Sequence, residues 1–95
     1  MTDKKIKSIV KILIENLHPD KLILFGSRGK GKASFNSDYD IAVESKQISL
    51  SEKRELREKI DEVIELHKID LVFLKEVDGD FRSLIKKTGK VIYEK

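Results

Sequence analysis

Cysteine is absent from the 95 residues, so the chain can build neither a disulfide framework nor a thiolate metal site. That absence fits a reducing compartment, and the cytoplasm is the expected location. Tryptophan is also absent, and the aromatics come to two tyrosines and four phenylalanines. Stacking surfaces for bases, interleaved with basic clusters, cannot be assembled from so few, and direct nucleic-acid binding is not expected. No apolar run approaches the roughly 18 residues of a membrane span. The opening "MTDKKIKSIVKILIENL" mixes lysines with acidic residues and lacks a small-residue cleavage site, so it does not read as a signal peptide. Charge of one sign is lacking too. Twenty basic and 17 acidic residues leave a net charge of +3, and stretches such as "SEKRELREKIDE" interleave the signs as a solvated surface does. No repeat, low-complexity stretch or linker divides residues 1–95, which read as one domain.

What is present is an alternation of periodicities. Ile6, Ile9, Val10, Leu13, Ile14 and Leu17 share one face of a helix over 3–17. His18 reads as its end, and Pro19 stops it. "KLILF", 21–25, is too short for a helix and predicts a buried strand. A glycine-rich loop follows, and "DYDIAVE", 38–44, predicts a second strand. Leu56, Ile60, Val63, Ile64 and His67 line a helix over 50–67, opened by a capping box of Ser49 and Glu52. "KIDLVFL", 68–74, is a third strand. A helix over 80–88 turns Phe81, Leu84 and Ile85 inward and ends at Gly89. "KVIYE" closes the chain as a last short strand. The order is that of an α/β (α+β) sandwich, a small mixed sheet with helices packed on it.

The chemistry concentrates in "LFGSRGKGKASFNSDYDIAV", Leu24 to Val43. Aspartate is a poor strand former, yet Asp38 and Asp40 begin a strand. Residues two apart share a strand face, so their carboxylates lie within roughly 7 Å. Asp70, between Ile69 and Leu71, joins them if the second and third strands are neighbours. Hard oxygen donors so arranged suit Mg²⁺, or two such ions. Gly26 permits close backbone approach, and N–H groups of the turn can cradle phosphate oxygens. Ser27 adds a hydroxyl, while Arg28, Lys30 and Lys32 add positive charge. One side of such a site holds phosphates and the other metals, the pairing expected for a nucleoside triphosphate. Tyr39 alternates to the opposite face and packs. His67 reads as a packed residue rather than a ligand.

This stretch resembles the GS-x10-D-x-D signature of the nucleotidyltransferase superfamily, the fold of DNA polymerase beta. More closely, the chain resembles the minimal nucleotidyltransferases, the MNT proteins, over nearly its whole length: "ILFGSR", "SDYDIAV", "IDLVFL" and "FRSLIKKTGKVIYE" carry the similarity. The resemblance implies that Asp38, Asp40 and Asp70 are the metal-binding catalytic carboxylates and that Gly26 and Ser27 contact the triphosphate. One departure shows. Many relatives read Gly-Ser-x-Ala-Arg-Gly, whereas Gly29 and Lys30 stand here, and lysine keeps the charge but loses the bidentate fork.

The resemblance favours ATP as substrate, hence transfer of AMP with loss of pyrophosphate. Larger relatives hold the acceptor with extra domains; this chain has none and must borrow the acceptor pocket. The resemblance implies a helical HEPN-domain toxin as partner, silenced by AMP placed on a tyrosine. Two alternatives stay open: a binding-only antitoxin, and the catalytic subunit of a small-molecule or nucleic-acid nucleotidyltransferase. The oligomeric state is open too, a homo-oligomer included.

Overall fold

In the computed structural model, residues 4–26, 38–65 and 67–95 are described. The elements follow the expected order. Helix α1 spans Lys4–Leu17, strand β1 Lys21–Phe25, strand β2 Tyr39–Glu44, helix α2 Leu50–Ile64, strand β3 Ile69–Phe73, helix α3 Gly79–Thr88 and strand β4 Lys90–Glu94. A single 3₁₀ turn, Leu74–Glu76, links β3 to α3.

The strands form one sheet in the order β3-β2-β1-β4. Strand β1 runs antiparallel to both β2 and β4, whereas β2 and β3 are parallel. A parallel pair needs a crossover, and α2 supplies it. Helix α2 starts where the sequence says it should. The Ser49 hydroxyl accepts from the Glu52 N–H at 3.1 Å, and the Glu52 carboxylate accepts from the Ser49 N–H at 3.1 Å.

Alternation along the strands divides the core in two. Leu22, Leu24, Tyr39, Ile41, Val43, Ile69 and Phe73 face Ile9 and Leu13 of α1 and Leu56, Ile60 and Ile64 of α2. The opposite face gathers Ile23, Ala42 and Leu74 beneath Ile85 of α3, with Phe25 and Val72 alongside. Among the described residues, two helices cover the first face and one ten-residue helix covers part of the second. The sheet end where β1 stops and β2 and β3 begin belongs to that less covered face.

Several boundaries differ from the sequence reading, each for a local reason. Helix α2 ends at Ile64 rather than 67, because Glu65 turns to φ 56° while its N–H still donates to the Asp61 carbonyl. His67 therefore leaves the helix and packs its ring against Tyr39, centroids 5.5 Å apart. His18 does end α1, at φ 47°, donating its N–H to the Ile14 carbonyl. Strand β2 starts at Tyr39, leaving Asp38 just outside it, and β3 gives way at Leu74 to the 3₁₀ turn. On α3 only Ile85 is buried. Phe81 and Leu84 were expected inward but are 37 % and 55 % exposed. Ten residues crossing a narrow sheet can seat one side chain fully, and the flanking positions stay at the rim.

Gly89 caps α3 as expected, but not through a left-handed turn: its φ is −81°. The requirement is space. A Cβ there would collide with Ile23 Cγ2 and lie 2.7 Å from the Ile85 carbonyl oxygen. Gly89→Ala is thus expected to destabilise the fold by about 1–3 kcal/mol, the usual penalty for overpacking. The measurement is a urea melt, with a lower midpoint and an unchanged slope; an unshifted midpoint would contradict this account.

Candidate active site

Asp40, Asp70 and Gly26 come together at one end of the sheet, with Asp38 at its mouth. Parallel pairing of β2 with β3 sets Asp40 directly beside Asp70, one rung apart in register. Antiparallel pairing with β1 sets Phe25 on the other side of Asp40. Residues paired this way share a face, so Asp40 and Asp70 project from the side that α3 covers only in part. Asp38, two residues earlier, is exposed at the mouth of β2. The start of that strand is pinned by the Tyr39 N–H, which donates to the Lys68 carbonyl at 2.9 Å. Tyr39 itself is buried on the α1–α2 face, as alternation requires.

Gly26 follows β1 with φ +67°, a conformation that costs L side chains strain. It is needed a second time for room. A Cβ at Gly26 would overlap Asp40 Oδ2 and stand 3.1 Å from Asp40 Cγ. The sequence reading gave the small residue to the approach of a bulky ligand group. In the structure the group that approaches is the second aspartate of the Asp-x-Asp pair. The two halves of the motif, separated by ten residues, are therefore in contact. Ser27, Arg28 and Lys30, assigned to phosphate contact, lie outside the described residues.

The arrangement is electrostatically costly. The Asp40 carboxyl is raised above its ordinary 3.8, first by burial, then by the charges of Asp70 and Asp38. Desolvation and like charge both disfavour ionisation. Among the described residues, no three acidic or histidine side chains already stand gathered in ligating geometry. No described helix is long and apolar enough to cross a membrane.

A neighbour that periodicity alone did not mark for the site is Phe25. It read as plain core, yet its ring meets Phe81 of α3 edge-to-face, centroids 6.2 Å apart and planes at 86°. The signal was its place, one residue before Gly26 and on the strand face shared with Ile23.

The mixed four-stranded sheet with its packed helices has the minimal nucleotidyltransferase fold. Residues 7–95 match the family described as polymerase beta nucleotidyltransferase, and the chain belongs to that family. It is 37 % identical over 90 residues to the "Probable protein adenylyltransferase MntA" of Haemophilus influenzae, covering 93 % of this chain and 79 % of that one. Its fold superposes on a crystal structure of a toxin–antitoxin with AMP-PNP, with TM-score 0.82 and 26 % identity. That match covers 98 % of this chain and 75 % of the other. A complex of tri-AMPylated Shewanella oneidensis HEPN toxin with MNT antitoxin shares the fold at TM-score 0.75 and 24 % identity, over 96 % and 71 % of the two chains.

Because its folded-state pKa is raised, Asp40 favours folding in the protonated form. That contribution is full below the unfolded value near 3.8 and lost as pH rises through the raised folded value. Asp40→Asn is therefore expected to raise the Tm at pH 7 and to give no gain below about pH 3.8. Added salt should shrink the neutral-pH gain. Thermal melts across this range would refute the reading if the variant were less stable at pH 7.

Proposed function

We propose that this chain is a Mg²⁺-dependent protein adenylyltransferase that moves AMP from ATP to a tyrosine of a HEPN-type toxin and so neutralises it. The observation that carries this reading is the clash-tight contact of Gly26 with Asp40 beside Asp70, in a chain of the nucleotidyltransferase family. The MntA name borne by the 37 %-identical relative supports the reaction, and the toxin–antitoxin likeness supports the partner. ATP chemistry in a chain without cysteine fits the cytoplasm.

The donor set fits a divalent cation. Hard oxygens suit Mg²⁺, and burial together with like charge makes Asp40 a site that gains from positive charge. Asp38, Asp40 and Asp70 would hold one or two such ions. Bound there, the ions supply charge neutralisation on the triphosphate and the attacking oxygen.

The chain's own residues account for the rest. Backbone at and after Gly26, with Ser27, Arg28 and Lys30, would hold the β- and γ-phosphates and orient the α-phosphorus towards the open face. The acceptor hydroxyl approaches from that face, which α3 covers only in part. A bond forms between the tyrosine oxygen and the α-phosphorus, and the bridge to the β-phosphorus breaks. Pyrophosphate departs, and the hydroxyl proton passes to the Asp70 carboxylate.

The test is co-expression with the toxin, followed by intact-mass spectrometry and a growth assay. Wild type should add adenylyl increments to the toxin and protect the cells. Asp38→Ala with Asp40→Ala should still bind the toxin, add no increment and fail to protect at matched expression. Calorimetry should show ATP binding that needs Mg²⁺ and is lost in the same double variant. Full protection without any modified toxin would replace this reading with the binding-only one.

A further inference from the structure

An open groove with no role in the chemistry above lies at the start of α3. It is about 530 Å³ and is lined by Asp78, Gly79, Asp80, Phe81 and Leu84. It lies near the reacting end through a short chain of contacts. Asp40 pairs in register with Phe25, and the Phe25 ring meets Phe81 at 6.2 Å. Phe81 is a large aromatic side chain left 37 % exposed on an otherwise charged surface, and Leu84, one turn on, is 55 % exposed. The core does not need that exposure, since Ile85 alone closes α3 onto Ile23, Ala42 and Leu74.

We propose that this groove is the base subsite of the nucleotide, with the purine stacked on Phe81 and flanked by Leu84. The inference rests on the reading of the chain as a nucleotidyltransferase. A nucleoside triphosphate is an elongated ligand with one anionic and one flat, largely apolar end. The carboxylate end at Asp40 suits the first through cations, and the aromatic pair leading away from it suits the second. Stacking alone tolerates any base. The acidic rim adds a hydrogen-bond acceptor. Asp78 holds α3 by accepting the Phe81 N–H at 2.8 Å, while Asp80 is exposed at the groove edge. A carboxylate accepts hydrogen bonds and donates none. At that edge it accepts from an exocyclic amino group of the base. Phe81 is thus a base-binding residue remote from the reacting phosphorus.

Calorimetry on the full chain with Mg²⁺ tests this, using ATP and inorganic tripolyphosphate as probes. Phe81→Ala should weaken ATP about tenfold, the loss expected of one stacked base, and leave tripolyphosphate unchanged. Phe81→Tyr should bind ATP as wild type does. Asp80→Asn should weaken ATP by less than Phe81→Ala does and leave tripolyphosphate unchanged. A second readout uses the absence of tryptophan: in Phe81→Trp the sole indole should be quenched by ATP and unmoved by tripolyphosphate. ATP affinity indifferent to Phe81, or equal losses for both probes, would overturn the assignment. So would normal ATP binding with lost toxin modification, which would give the groove to the acceptor. Failure of wild type to bind ATP in an Asp40-dependent way is a different result, and it would sink the nucleotidyltransferase reading instead.

Discussion

One rung of parallel sheet holds two carboxylates side by side, and the rest of the molecule is arranged around that cost. Asp40 sits between Asp70 across β3 and the backbone of Gly26 across β1. Partial burial removes water that would otherwise soften the repulsion. A chain selected for stability alone would place valine or threonine there, as it does at Val72 and Val43 on the same strands. The sheet tolerates the charges because its other end is dense. Leu22, Ile41, Ala42 and Ile60 have no exposed surface, and the strands cannot drift apart to relieve the repulsion.

The two faces of the sheet divide labour accordingly. The face under α1 and α2 takes most of the buried side chains and supplies cohesion. Among the described residues the other takes four, and it carries Asp40 and Asp70. Tyr39 and Asp40 show the division within one peptide unit. The tyrosine ring is sealed against His67 on the cohesive face, and the aspartate is turned towards the open one. A shift of β2 by one residue would exchange them and abolish core and site together.

Most of this was legible in the chain. Helical spacing fixed α1 and α2, the Ser49–Glu52 pair located the start of α2 within a residue, and two-residue alternation sent Asp38 and Asp40 one way and Tyr39 the other. The adjacency of β2 and β3 was only conditional in the sequence, because strand order is set by crossovers and not by any residue. The failures were at edges. The sequence could not show that Glu65 would take a left-handed turn before His67, since glutamate seldom does. Nor could periodicity show that Phe81 and Leu84 stay at the rim, because an apolar stripe states which side a helix buries and not how much sheet lies beneath. Gly26 was read as important for the right reason, space, but its close neighbour proved to be a side chain of the same motif.

The pairing of β1 with β4 carries a consequence for how the chain is made. Residues 21–25 have one of their two sheet partners at 90–94, and the Lys95 N–H donates to the Asp20 carbonyl at 2.9 Å. On a ribosome, β1 emerges long before that partner exists and waits with one edge open. The sheet closes only after residue 94 has cleared the exit tunnel. Pairing of β1 with β4 therefore waits for residues 90–94, and a nascent chain truncated before them leaves the backbone groups along one edge of β1 without their strand partner.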